Sequence, residues 1–175
     1  MDETNPTTQP TKEKEPVVPM AAYDNVVDYV DNKMLFEGKS LSQWRSLLLL
    51  PAIPDYLDSD GLVKLNQRAV ALTETCFTNL SIAKARYTAA KAAYNKKLNL
   101  QKDSIRESYD KKPPMDVIET KAINKCLGEA TAATIAEFFW DFWKKQVEKI
   151  NTFNDRLTGL NITINQETKI LNNKF

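Results

Sequence analysis

Apolar positions recur every three or four residues through the middle of the chain. No Gly or Pro interrupts the sequence between Gly61 and Pro113, so this stretch is predicted to form one very long helix or two helices with a soft junction. Asp58 to Gly61, just before it, is typical of a turn that starts a helix. The apolar stripe is rich in alanine, which lets a neighbouring helix approach closely, and consists of Leu80, Ala83, Tyr87, Ala90, Tyr94 and Leu98.

A second helical region follows a break at residues 111–114, where two lysines precede two prolines. A new helix is predicted from Asp116 to Lys125, and residues 130–157 form the most strongly amphipathic segment of the chain. We expect Gly159 to end that helix. Residues 162–172 then form a last short helix or an extended arm.

The N-terminal third has a different pattern. Residues 1–19 contain four prolines among polar residues and are predicted to be a disordered tail. Residues 20–60 are predicted to form short acidic helical segments. One would run from Tyr23 to Asn32, and another would be capped by Ser40 or Ser42.

These patterns predict an all-α fold with long helices in a helical hairpin or bundle. Residues 61–175 would form one helical domain. Five aromatic residues lie within positions 138–143 and wrap more than one face of the C-terminal helix. Either this helix is thoroughly buried in one chain, or a second subunit covers the extra face. We predict an oligomer interface formed by Phe139, Trp140, Trp143, Val147 and Ile150.

Charge changes the picture, because it is segregated along a chain whose formal net charge is only +1. Residues 1–60 hold five Lys and Arg against eleven Asp and Glu, whereas residues 61–112 hold eleven against four. No Asp or Glu lies between Thr75 and Gln101. Surface helices normally mix both signs, so this stretch predicts a binding site for a polyanion.

The cationic residues form rows on the predicted helix. Lys84 and Lys91 are seven residues apart, so they lie in one row about 10 Å apart. Such rows suit a phosphate backbone, and Tyr87 and Tyr94 suit base stacking. The alternative is that the lysines form a solvated face and the tyrosines belong to the core. Residues 61–175 are therefore predicted to be a helical DNA-binding and oligomerisation domain. The predicted nucleic-acid contacts are Lys84, Arg86, Lys91, Lys96, Lys97 and Lys102.

Catalytic and metal-binding patterns are missing from the sequence. The chain has no His, and it lacks a Gly-rich phosphate loop and the common hydrolase motifs. Asp103, Glu107 and Asp110 form a row on one helix, which we interpret as a solvated face balancing nearby cations. Two isolated cysteines, fifty residues apart, indicate reduced thiols. We therefore predict a protein that is not an enzyme and holds neither metal nor cofactor.

The sequence also predicts a soluble, cytoplasmic protein. Residues 1–19 lack the apolar core of a signal peptide. The most apolar run, Leu47 to Leu50, is far shorter than the roughly 20 residues that a membrane span needs.

Two motifs resemble a known family. The segment Ala-Lys-Ala-Arg-Tyr at 83–87 and the segment Phe-Trp-Asp-Phe at 139–142 are similar to signatures of UvsY-type recombination mediators of tailed phages. The resemblance covers roughly residues 62–175. It implies a phage protein in the host cytoplasm that binds single-stranded DNA, with Lys84 and Arg86 as contacts. It also implies a ring-like homo-oligomer, formed through C-terminal helices, that helps a RecA-like recombinase replace a single-strand-binding protein.

A second interpretation fits the same residues. The chain would be a structural helical protein of a virion or an assembly, and its basic helix would bind an acidic partner. Residues 20–60 of a neighbouring subunit are one such partner. Co-purification of nucleic acid that leaves at high salt separates the two interpretations.

Deleting residues 1–19 is expected to leave the helix content and the thermal midpoint almost unchanged, because their composition cannot support a core. Circular dichroism melting of the shortened and full chains measures both. A large fall in the midpoint would show that the segment is docked on the folded part.

Overall fold

The computed structural model describes residues 28–54, 58–111 and 113–172 of the 175-residue chain. It divides into two compact units, Met1–Leu47 and Leu48–Phe175. The predicted tail at 1–19, and the part of the Tyr23–Asn32 helix that precedes residue 28, lie outside the described residues. Tyr29–Lys33 forms a short π-helical turn.

The first unit contains a small β-hairpin that the sequence pattern did not predict. Strand β1 (Leu35–Phe36) pairs antiparallel with β2 (Lys39–Ser40). Its two turn residues both have positive φ, 49° at Glu37 and 73° at Gly38, as a tight type I′ hairpin requires. Strands of two residues are too short to show an alternating pattern, so only the glycine marked the turn.

Helix α1 (Leu41–Leu47) follows the hairpin directly. Of the two predicted caps, Ser40 holds the position. Its Oγ accepts a hydrogen bond from the Gln43 backbone N–H at 3.3 Å, and the Gln43 side chain accepts one from the Ser40 N–H at 2.9 Å. The buried Trp44 indole donates to the Phe36 carbonyl at 2.9 Å, so helix and hairpin form one small unit.

The second unit is built on α2, a single helix over Ser59–Glu107. The Asp58 carboxylate accepts a hydrogen bond from the Gly61 N–H at 2.7 Å, which confirms the predicted start. At 1.5 Å per residue the helix is about 73 Å long. After the break come α3 (Met115–Lys125) and α4 (Leu127–Asn172).

The predicted end of the last helix at Gly159 is wrong, because α4 continues to Asn172 and includes all of residues 162–172. A glycine inside a helix costs only about 1 kcal/mol relative to Ala. Apolar side chains continue on both sides of it, with Leu157 buried and Ile164 half-buried. A glycine stops a helix when it takes a left-handed conformation, and Gly159 does not.

Helices α2 and α4 pack antiparallel as a hairpin, which confirms the predicted all-α fold class. The Asn154 side chain donates to the Thr73 hydroxyl at 3.1 Å. Nearer the connection, Lys97 donates to Glu129 at 2.5 Å. The buried apolar side chains between them are Leu62, Ala69, Leu72, Cys76 and Ala83 of α2, and Phe139, Phe142, Trp143, Val147, Ile150, Phe153 and Leu157 of α4.

The two helices contribute unequal volumes to this core. Ala69, Cys76 and Ala83 recur every seven residues on α2, as in coiled coils, and are small. Helix α4 supplies large side chains, and its Trp143 is fully buried. Burial also raises the pKa of the Cys76 thiol, and both Cys76 and Cys126 are unpaired.

Helix α3 packs on the end of α2. Ile118 and Ala122 contact Ile105 in a small cluster that Leu98 extends. Beside it, Lys102 forms an ion pair with Glu119 at 2.8 Å. An apolar contact flanked by a Lys–Glu pair therefore holds α3 on α2.

Replacing Trp143 with Ala is expected to destabilise the hairpin by about 3–5 kcal/mol, because it leaves a large cavity among fixed neighbours. Thermal or urea unfolding followed by circular dichroism measures the change. Phe138→Ala is the matched control, since Phe138 is exposed and its loss should cost much less. Equal effects of the two substitutions would contradict this packing.

Candidate nucleic-acid interface

All six predicted nucleic-acid contacts lie on α2, but they do not share one face. Successive side chains of an α-helix are rotated by about 100° around its axis, so Lys84, Lys91 and Lys102 point to one side of the helix. Arg86 and Lys97 point to another side. Lys97 and Lys102 are half-buried, whereas the remaining four residues are exposed.

Three of the lysines are engaged by groups of their own chain. Lys97 donates to Glu129 of α4 at 2.5 Å, and Lys102 donates to Glu119 of α3 at 2.8 Å. Lys91 donates to the Tyr87 hydroxyl at 2.9 Å.

Beyond Lys91 the network reaches a third carboxylate. The Tyr87 hydroxyl donates to Glu137 of α4 at 3.4 Å. The expectation that α2 lysines lack compensating carboxylates is therefore wrong for these three positions. The acidic residues lie 17 to 50 positions away in the sequence, beyond the reach of any pattern along one helix.

These contacts shift the ionisation of both partners. The hydrogen bond from Lys97 lowers the pKa of the Glu129 carboxyl, and the same bond raises the pKa of Lys97. The hydrogen bond to Tyr87 raises the pKa of Lys91. All three groups are therefore held more firmly in their charged forms.

The other three predicted contacts are Lys84, Arg86 and Lys96. Each side chain is exposed. In the described part of the chain, the ammonium groups of Lys84 and Lys96 have neither a hydrogen-bond partner nor an ion-pair partner. All six residues stay predicted contacts, and Lys84, Arg86 and Lys96 form an exposed subset within one 13-residue segment.

The two motif segments meet in the fold. The ring of Tyr87 stacks on that of Trp140, with centroids 4.9 Å apart and planes 16° apart. The Lys144 ammonium lies over the Trp140 ring, 4.1 Å from its centroid. The same ammonium forms an ion pair with Asp141 at 2.6 Å. The half-buried Tyr87 ring therefore packs in the hairpin, as the core alternative expected.

Comparison of the chain with family models, with curated proteins and with solved structures finds no match. The resemblance consequently rests on the two sequence motifs alone.

The predicted oligomer interface coincides with the core of the hairpin. Phe139, Trp143, Val147 and Ile150 are buried within one chain, and Trp140 is half-buried against Tyr87. The structure thus places these side chains where the buried-helix alternative expected them. An interface between subunits at these residues stays a prediction, and it would require the hairpin to open or to exchange helices.

Two further features concern the described residues only. None of the helices there is long and apolar enough to cross a bilayer. No group of three or more Cys, Asp or Glu side chains in the same residues is arranged to hold a metal ion.

The Lys97–Glu129 pair is expected to make the stability of the fold depend on pH. The folded-state pKa of Glu129 is lowered, so its stabilising contribution is present above the unfolded pKa and is lost as pH falls through the folded value. Lys97→Met is expected to raise the Glu129 titration midpoint, measured by NMR of the side-chain carboxyl. It should also reduce stability near neutral pH but not in acid.

Lys96→Met is the matched control, because it removes the same charge from the neighbouring position without touching Glu129. An equal change in the Glu129 midpoint for both variants would mean that general charge, not the hydrogen bond, sets its pKa.

Proposed function

We propose that this chain is a non-enzymatic protein that binds single-stranded DNA along α2 and acts as a recombination mediator. In that role it helps load a RecA-like recombinase onto DNA in place of a single-strand-binding protein. The DNA contacts are Lys84, Arg86 and Lys96, which point to different sides of the helix, so the flexible strand wraps partly around α2 to reach all three.

The observation that carries the proposal is the arrangement of the first motif. Ala83 is buried in the hairpin and Tyr87 stacks on Trp140, whereas Lys84 and Arg86 between them are exposed. The motif's apolar residues thus hold the helix against α4 while its cations face outward. The second motif supplies the stacking partner, which supports a shared role for the two segments.

Charge and shape support a contact that does not read sequence. Lys84 to Lys96 spans about 18 Å of a straight helix, and no acidic residue lies on α2 between Thr75 and Gln101. Lysine and arginine bind phosphates and release counterions irrespective of base identity. Few such contacts per subunit give weak binding, which suits a protein that must pass the strand to a recombinase.

The acidic-partner interpretation is also favoured by a specific observation. Lys97 and Lys102 already bind glutamates of α4 and α3, so basic residues of α2 do accept acidic helices. In this alternative the chain is a structural helical protein of a virion or an assembly, and its exposed cations bind an acidic protein instead of DNA.

The test is a salt series of fluorescence anisotropy titrations with labelled single-stranded DNA. Single strands release about 0.7 counterions per phosphate contacted, so three contacts per subunit give a slope of about −2 in log K against log salt. Arg86→Ala with Lys96→Ala is expected to flatten the slope to about −0.7 and to weaken binding.

Lys145→Ala with Lys149→Ala is the control, because it removes two exposed lysines from α4. It should leave the slope close to the wild-type value. Salt-independent binding, or equal losses in the two double variants, would place the DNA elsewhere. No binding at low salt would leave the acidic-partner interpretation.

A further inference from the structure

Helix α2 carries an exposed apolar row that the hairpin does not use. Val63, Val70 and Phe77 are spaced by seven residues and are 53%, 58% and 46% exposed. Each follows a buried core position by one residue, so the row runs beside the seam with α4 for about 21 Å. Isolated exposed apolar residues are common, but three in one row indicate a contact surface.

At the C-terminal end of α2, the same row is covered by α3. Leu98 and Ile105 continue the seven-residue spacing, and there α3 packs on the row through Ile118 and Ala122. The side chains of Val63, Val70 and Phe77 are about half exposed. Among the described residues, no helix packs over this part of the row. Helix packing on this face of α2 is therefore already present, but only along its C-terminal part.

We propose that a second copy of this chain covers the exposed part, with the two α2 helices antiparallel about a two-fold axis at Val70. Antiparallel pairing places Val70 opposite Val70 of the partner subunit. It also places Val63 opposite Phe77 of the partner subunit, so that a small side chain meets a large one at each end. A two-fold contact uses the same patch on both copies, as the single row requires.

Charge complementarity selects this occupant and this orientation. Lys84 continues the row beyond Phe77, and the antiparallel alignment brings it within about one helical turn of Asp58 and Asp60 at the partner's helix start. Asn66, which is uncharged, comes level with Glu74 of the partner subunit. A parallel alignment would instead place Lys84 beside Lys84 and Glu74 beside Glu74, and such like-charge contacts are unfavourable.

The dimer goes beyond the proposed DNA binding and differs from an interface through α4. Arg86 and Lys96 point away from the row, about 200° and 120° around the helix from Lys84. The dimer contact therefore does not cover them. Lys84 is the one cation that both sites share.

Analytical ultracentrifugation of the full chain tests the association. Wild type is expected to form dimers, and Val70→Glu should weaken dimerisation at least tenfold by placing two carboxylates face to face at the axis. Leu100→Glu is the matched control, because Leu100 is 59% exposed on the same helix but off the row. It should leave the dimer unchanged. A monomeric wild type, or equal effects of the two substitutions, overturns the proposal.

Engineered cysteines test the register without disturbing the fold. Val70→Cys should give a disulfide-linked dimer on a non-reducing gel, because that position faces itself across the axis. Val63→Cys alone should not link, whereas Val63→Cys combined with Phe77→Cys should. Wild type, with Cys76 and Cys126 buried, gives the background. Linking by Val63→Cys alone would show a parallel pair and overturn the antiparallel arrangement.

Discussion

The structure depends on the packing of large α4 side chains over small α2 residues. Ala69, Cys76 and Ala83 leave room at seven-residue intervals, and Trp143 and its neighbours fill that room. Interiors tolerate few voids, so alanines on one helix demand aromatic residues on the other. This one constraint keeps a 49-residue helix and a 46-residue helix side by side with little other support.

The same packing sets the register, and the register decides which charges meet. Once Thr73 lies beside Asn154, the antiparallel helices bring Tyr87 to Trp140 and Lys97 to Glu129. Lys97 is thereby paired, whereas Lys96, its neighbour in sequence, points away from α4. The distribution of available positive charge on α2 is consequently a property of the hairpin, and composition alone does not give it.

The sequence predicted the helices well, because their periodicity and caps are local. The start at Asp58 and the cap at Ser40 are examples. It failed where the outcome depends on residues far apart. The contacts of Glu129 and Glu137 with α2 could not be predicted from the sequence of one helix. Gly159 was predicted to end a helix because the sequence does not show that packing continues on both sides of it. For the aromatic cluster the sequence left two alternatives open, burial in one chain or a second subunit, because the small residues facing it lie about 60 positions earlier.

A long helical hairpin has more surface than its own core can use, which bears on function. One side of α2 holds α4, and α3 covers only part of a second side. What is left is an apolar row at the N-terminal end of α2 and exposed cations in its middle. Apolar surface lowers free energy when another protein surface covers it, whereas exposed Lys and Arg attract polyanions while remaining solvated. The proposed dimer contact and the proposed polyanion site therefore lie on successive segments of one continuous helix, so a partner bound at one is held close to the other.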